Sequence, residues 1–235
     1  MTEKQLSLSV VLPAFNEEKN IEATISNIYD ILVDLTDDFE IIVVDDGSKD
    51  NTGLVLSQLK DAYKRLYVIT HKENKGYGNA LISGFNKASK EYIFFMDSDG
   101  QFDFREIKRL LLFKDDYDIV SGIRIERRDG LLRDLYGTLF NFIVKFLFSI
   151  PIMDIDCGFK LFKKRVIKEI SLCSPGALIN TEILAKARIN KRSLMLVGVT
   201  HFPRKKGKQS GGSFKVIFRA VREIIKLKYN LMRVK

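Results

Sequence analysis

Tyr92-Ile93-Phe94-Phe95-Met96-Asp97-Ser98-Asp99-Gly100-Gln101 reads as a strand that is apolar at every position and stops in two carboxylates. A strand without polar alternation is covered on both faces, as in mostly parallel sheets packed between helices. Ile41-Ile42-Val43-Val44 has the same character and stops in Asp45-Asp46-Gly47-Ser48. Working outward, strands are predicted over 6–13, 39–45, 66–70, 92–96 and 118–122, and helices over 20–34, 52–63, 78–88 and 104–113, each helix opened or closed by Asn, Asp, Thr or Gly. This β-α-β-α rhythm predicts a doubly wound, mostly parallel α/β sheet, whose ligands bind beyond the carboxyl ends of its strands.

The second half has a different texture. Residues 131–150 read as a helix with a thin polar stripe, Asp134, Thr138, Asn141, Lys145 and Ser149, on an otherwise apolar cylinder that needs burial or lipid. Strands are expected over 157–162 and 193–199, and helices over 164–170 and 181–189. A Gly/Ser/Lys loop over 207–213 precedes a last helix. Phe214, Ile217, Phe218, Val221, Ile224 and Ile225 form one face of it, and Lys215, Arg219, Arg222 and Lys226 form another.

With 235 residues at 46% hydrophobic, the chain can bury a proper core, which excludes a disordered protein or a peptide scaffold. Two cysteines, Cys157 and Cys173, make no disulfide framework, and no charged-then-apolar leader precedes the first strand, so a reducing, cytoplasmic setting is expected. The longest apolar stretch, 131–152, is interrupted by Arg133, Asp134, Asn141 and Lys145, and does not read as a membrane span. The net charge of +9 is lopsided: residues 204–235 hold eleven Lys/Arg against Glu223 alone, a balance of +10, whereas the first 203 residues balance at −1. A polyanionic partner is implied, a membrane surface or a nucleic acid, with a solvated basic tail as the plain alternative.

In extended backbone Asp97 and Asp99, two residues apart, point to one side. With Gln101 they offer an all-oxygen set suited to Mg²⁺ or Mn²⁺, which complete their shells with water and phosphate oxygens. An acidic turn is the plainer reading of the same residues; their place at the carboxyl edge favours the cation. Strand two delivers Asp45 and Asp46 to that edge, and strand one ends there in Pro13-Ala14-Phe15-Asn16-Glu17-Glu18. Asp50 and Asn20 are expected to be helix N-caps. Capping does not account for Asp45 and Asp46, which lie directly after the strand and ahead of the helix.

Pro13-x-Phe15-Asn16-Glu17, Asp45-Asp46-Gly47-Ser48, Asn74-Lys75-Gly76-Tyr77-Gly78-Asn79-Ala80, Asp97-x-Asp99-x-Gln101, Gly122-x-Arg124 and Asp156-Cys157-Gly158-Phe159-Lys160-Leu161-Phe162 occur in the order and approximate spacing of the family 2 glycosyltransferases. Over residues 8–210 the chain resembles that family, and most of all its dolichyl-phosphate mannose synthase branch, which includes polyprenyl-phosphate glucosyltransferases. The resemblance implies a GT-A fold, in which a nucleotide-sugar half (1–125) and an acceptor half (126–203) make one catalytic domain on a continuous sheet. A basic loop and amphipathic helix follow over 204–235.

The resemblance also implies roles. Pro13, Phe15 and Glu17, with Asp45 or Asp46, match the pocket for the nucleotide base; Lys75, Gly76, Asp97 and Ser98 complete the donor site. Asp97 and Asp99 match the pair that coordinates the metal on the donor's diphosphate, with Gln101 as the further ligand. Arg124 and Arg204 join the two aspartates as catalytic groups, and Glu182, Arg204, Lys206 and Ser210 face the acceptor. Gly76 and Gly78 would let backbone approach the ligand. A Rossmann reading of Gly76-x-Gly78 fails for want of a third glycine and of a place after the first strand.

The implied reaction is attack of a lipid phosphate oxygen on the sugar's anomeric carbon, with inversion and loss of a nucleoside diphosphate. A phosphate monoester has a second pKa of about 6, so this nucleophile is already ionised and needs no strong general base. His71 and His201 are the only histidines, and no His or Cys dyad is evident. For Glu182 a first-turn helix glutamate is an equal reading. On the acceptor side the branch carries R-x-x-G-x-S-K; Arg204-Lys205-Lys206-Gly207-Lys208-Gln209-Ser210-Gly211 has one residue more before the serine and glycine in place of lysine.

The last helix is what an interfacial element needs, apolar on one side and cationic on the other, and residues 131–150 offer a second such surface. They predict peripheral attachment to the cytoplasmic face of a membrane, with a small membrane-protein subunit as an open partner; packing on the core or on another subunit is the alternative. Nucleic acid is excluded as a partner because the tail lacks an aromatic platform or recognition motif. Two other readings stand: a related transferase acting on another glycan or glycolipid, and a catalytically silent nucleotide-binding subunit.

Overall fold

The structure, a computed structural model, describes residues 5–125, 144, 146–148, 154–204, 206, 223–224, 227–229 and 231. In chain order the elements are β1 (Ser7–Ala14), α1 (Ile21–Leu35), β2 (Asp38–Asp45), α2 (Thr52–Ala62), β3 (Leu66–Thr70), α3 (Tyr77–Lys87) and β4 (Tyr92–Met96). A 3-10 turn (Phe104–Glu106) runs into α4 (Ile107–Leu111), followed by β5 (Ile119–Ile125), β6 (Phe159–Lys163), α5 (Lys164–Glu169), α6 (Ile179–Ile189) and β7 (Leu194–Thr200).

The seven strands form one sheet in the order β3-β2-β1-β4-β6-β5-β7. All neighbours are parallel except β6, which runs antiparallel to both β4 and β5. β6 and β7, from beyond residue 125, therefore share one sheet with the strands of the first half. The order in which successive strands are added reverses between β1 and the parallel β4, the topological switch point where such sheets open a crevice at their carboxyl ends.

The unbroken apolar character of β4 follows from two cores. Phe94 packs edge-on against Phe104 and Phe159 at 5.6 and 4.6 Å, among side chains of α1 and the 3-10 turn. Phe95 faces the other way, 5.9 Å from Phe85 of α3 and 6.0 Å from Phe162 of β6, in the core shared with α6. Burying one such side chain stabilises the fold by about 1.5–3 kcal/mol.

The single helix expected over 104–113 is instead a 3-10 turn and a short α4. Glu106 N reaches Asp103 O at 3.1 Å, and Phe113 N reaches Leu110 O at 3.1 Å, so both ends close with tight i to i+3 turns. β5 runs further than its apolar residues suggest, because it pairs residue for residue with β7 from Ile119↔Leu194 to Ile125↔Thr200. Among the described residues no helix is long and apolar enough to cross a membrane. Most of the expected helices over 131–150 and 214–226, and the charged face of the latter, lie outside the described residues.

Candidate active site

β1 and β2 end side by side, Ala14 opposite Asp45, and their following loops are laced together. Asn16, in the left-handed region at φ 56°, donates its main-chain N–H to Ser48 Oγ at 2.9 Å and accepts Lys49 N on its side-chain oxygen at 2.7 Å. Glu17 N donates to Thr52 Oγ1 at 2.8 Å, and Glu18 Oε2 accepts from Asn51 N at 3.0 Å. Phe15 is left 39% exposed just beyond the end of β1. Asn51, not the expected Asp50, stands at the N-cap of α2, although Asp50 Oδ1 accepts from Thr52 N at 3.0 Å; Asn20 stands at the N-cap of α1 as expected, with no side-chain bond to the helix. The Asn20 amide nitrogen donates to Glu17 Oε2 at 2.7 Å, a charge-assisted bond within the β1 loop.

Asp45 and Asp46 are both buried. Asp45 Oδ1 accepts Ser48 N at 3.0 Å and so shapes its own turn. Asp46 holds the segment ahead of α3: Oδ1 accepts Lys75 N at 2.9 Å and Oδ2 accepts Gly76 N at 2.8 Å. His71 bridges Asp46 Oδ1, 2.7 Å away, and Ser83 Oγ, 2.9 Å away. The Lys75 side chain is exposed.

The glycines of this segment serve a different neighbour from the one expected. A Cβ on Gly76 would meet Pro175 O at 2.5 Å, and one on Gly78 would meet Ser174 O at 2.0 Å. Pro175 O accepts Gly78 N and Asn79 N at the start of α3, at 2.8 and 3.3 Å. The backbone that approaches here is the chain's own 174–176 segment, which covers the α3 N-terminus. Glu182 secures that segment. Fully buried in the first turn of α6, it accepts from Ser174 N at 2.7 Å, from Cys173 N at 3.1 Å and from Lys186 Nζ at 2.6 Å. Burial pushes its carboxyl up, but these donors outweigh burial and leave it below the ordinary glutamate value.

β4 delivers the two aspartates. Ser98 between them is buried, its Oγ donating to Pro13 O at 2.7 Å, while Asp97 and Asp99 stay partly exposed on the other side. The backbone is a bend with Gly100 at φ 74°, not an extended run, yet the alternation survives. Burial, then the charge of Asp99, pushes Asp97 up to about 7, against the opposing bond from Tyr77 OH to Oδ1 at 2.8 Å. Asp99 is also raised, chiefly by burial, against its bond from Gln101 N and the charge of Arg204. Arg204 Nη2 lies 2.6 Å from Glu17 Oε1 and Nη1 lies 3.5 Å from Asp99 Oδ2, so one guanidinium ties the β1 loop to the β4 bend. Its Nε donates to Lys206 O at 2.8 Å.

Two partly exposed carboxylates, one of which holds the other above its ordinary range, fit a hard divalent cation, whose charge would relieve the conflict. Among the described residues no group of three or more His, Cys, Asp or Glu surrounds them, so water and phosphate oxygens would supply the rest of the shell. Gln101 uses its amide nitrogen on Phe202 O at 2.9 Å. Ser210 lies outside the described residues.

Four residues that the sequence reading did not assign also belong here. Asp154 holds Arg124 at the end of β5, accepting Nε at 2.8 Å, Nη2 at 2.6 Å and the main-chain N at 2.9 Å. Lys160 of β6 is fully buried, its Nζ donating to Ile155 O and Asn180 Oδ1, both at 3.1 Å, and to Cys157 O. Burial lowers its pKa, and its charge reaches Asp97. The Asn180 side chain acts on the Tyr77 hydroxyl, opposing the rise that burial and Asp97 impose on it. A lysine amid Phe159, Leu161 and Phe162 was the one readable signal, since a buried ammonium requires partners.

The glycosyl transferase family 2 pattern matches residues 9–171. An undecaprenyl-phosphate 4-deoxy-4-formamido-L-arabinose transferase of Yersinia pestis (strain Pestoides F) is 30% identical over 168 residues, 71% of this chain and 51% of that protein. Its counterpart in Yersinia enterocolitica is 28% identical over 174 residues, 73% of this chain and 53% of that protein. The chain thus spans about half the length of these curated relatives. Glucosyl-3-phosphoglycerate synthase of Mycobacterium tuberculosis, solved with Mn²⁺, UDP and glucosyl-3-phosphoglycerate, superposes with a TM-score of 0.70 at 20% identity, over 94% of this chain and 78% of that one. That likeness shows the fold, the GT-A architecture that the sequence motifs imply. The chain belongs to glycosyl transferase family 2.

Proposed function

We propose that this chain moves a hexose from a nucleotide-sugar of the GDP-mannose or UDP-glucose type to a polyprenyl phosphate, with Mg²⁺ or Mn²⁺ at Asp97 and Asp99. The observation that carries this reading is the pair of opposed carboxylates at the switch point, flanked by Arg124, Lys160 and Arg204. The names of the curated relatives, which are undecaprenyl-phosphate transferases, support the acceptor.

A divalent cation bound there supplies positive charge against the charge that builds on the departing diphosphate. The chain's own part is positioning. Phe15 and Glu17 orient the base, while Asp45 and Asp46 fix the loops that frame it. Arg204 can leave Glu17 and Asp99 for phosphate oxygens, so one side chain couples the donor site to the basic segment beyond it. Arg124, held by Asp154, keeps fixed positive charge beneath the reacting groups. The acceptor phosphate arrives ionised, so no protein base is required. In this reading the apolar and basic faces of residues 131–150 and 214–226 rest on an anionic membrane surface on its cytoplasmic side, alone or with a small membrane subunit.

The test is a screen of GDP-mannose, UDP-glucose and UDP-N-acetylglucosamine with Mn²⁺ or Mg²⁺ and a short polyprenyl phosphate, reading released GDP or UDP. Metal-dependent release that requires the lipid is the expected result. Turnover only with another glycan or glycolipid contradicts the acceptor, and nucleotide binding without turnover contradicts the enzyme.

A further inference from the structure

Three side chains from distant parts of the sequence converge beneath Asp97. The Tyr77 hydroxyl donates to Asp97 Oδ1 at 2.8 Å. Asn180, at the start of α6, lies close enough to that hydroxyl to oppose the rise that burial and Asp97 impose on it, and accepts Lys160 Nζ on Oδ1 at 3.1 Å. Lys160 is locked in turn by the carbonyls of Ile155 and Cys157. On its other side the Asp97 carboxylate lies against Gly158, where a Cβ would stand 2.2 Å from Oδ2. A carboxylate bonded on one oxygen and walled in beside the other cannot turn freely.

We propose that Tyr77 is a positioning residue for the divalent cation: its hydroxyl, with the Asn180 amide beside it and Lys160 behind that amide, fixes the orientation of the Asp97 carboxylate against Gly158. Each bond has a direction that makes the chain self-consistent. Lys160 has only protons to give, so it takes the oxygen of Asn180; that turns the amide nitrogen toward Tyr77 and leaves the phenolic proton for Asp97. The acceptor half, through β6 and α6, thereby sets a donor-side ligand. The 174–176 segment, held by Glu182 and capping α3 through Pro175 O, keeps Tyr77 in register.

This inference rests on the cation reading of Asp97 and Asp99, and the experiment separates the two. Mn²⁺ is titrated into the full chain and followed by electron paramagnetic resonance, with and without UDP or GDP, for the parent and for Tyr77→Phe. Partners that orient a metal ligand typically change affinity by about 10- to 100-fold, so Tyr77→Phe should bind Mn²⁺ at least about 10-fold more weakly while its unfolding midpoint stays within a few degrees. Asn180→Asp, which keeps an acceptor for Lys160 and loses the amide donor, should weaken Mn²⁺ in the parent and add little in the Tyr77→Phe background. A parent chain that binds no Mn²⁺ overturns the cation reading. Parent-like affinity in Tyr77→Phe, or full additivity of the two substitutions, overturns the role of Tyr77.

Discussion

The two ends of the sheet carry the same residue types in opposite condition. Toward the amino ends, Glu40 of β2 is buried and satisfied, accepting Ser9 Oγ at 2.6 Å, Ser89 N at 2.6 Å and Ser89 Oγ at 2.9 Å. Asp38 is paired with Lys90 and bonded by Ser7 Oγ at 2.6 Å, which holds it below its ordinary value. At the carboxyl ends Asp97 and Asp99 are held above theirs by burial and proximity. Acids at one end fasten strands; at the other they are left in conflict, which is how stability is given up where a ligand will resolve it.

The largest expected effect breaks the conflicted end. Asp97→Asn should lower turnover by about 10³-fold, since a site's main electrostatic stabilisation is lost, while the metal-free unfolding midpoint rises. An unchanged rate, or a lower midpoint, would erase the contrast between the ends. Glu40→Ala is the mirror experiment. It leaves Ser9 and Ser89 without their acceptor and should cost about 1–3 kcal/mol in denaturant unfolding, with kcat unchanged.

The pH dependence should also carry opposite signs. Unfolded Asp97 loses its proton near its ordinary 3.8, the folded group near 7, so the folded chain holds the extra proton between. Its contribution therefore declines as pH rises through that window and is flat above it. For Asp38 the folded value is the lower one, so its contribution is complete above 3.8 and is lost as pH falls through the folded value. Metal-free unfolding curves should show the parent losing ground to Asp97→Asn as pH rises, and to Asp38→Asn as it falls. Parallel curves would contradict the assignment. The smallest effect is that of Lys90→Ala, a half-exposed pair, within about 1 kcal/mol and silent in turnover.

The sheet was legible because β4 is apolar at every position, β2 is so over Ile41–Val44, and both stop in acids, a pattern with few alternatives in a doubly wound fold. The direction of β6 was not, since Phe159-Lys160-Leu161-Phe162-Lys163 pairs equally well either way in sequence terms and only its neighbours decide. The aspartate pair was legible from its spacing. Its supports were not: Tyr77, Asn180 and Lys160 belong to separate elements, and Arg204 reaches Glu17 across 187 positions. Gly76 and Gly78 were correctly read as sites of close approach, but not by what, because the 174–176 segment that fills the space carries no signal of its own.

Anomalous diffraction from crystals soaked with Mn²⁺ and a nucleoside diphosphate tests the central claim most directly. The account predicts a manganese peak bound by Asp97 and Asp99, absent in the Asp97→Asn, Asp99→Asn double variant. A peak elsewhere, with both carboxylates turned away from the diphosphate, would contradict it.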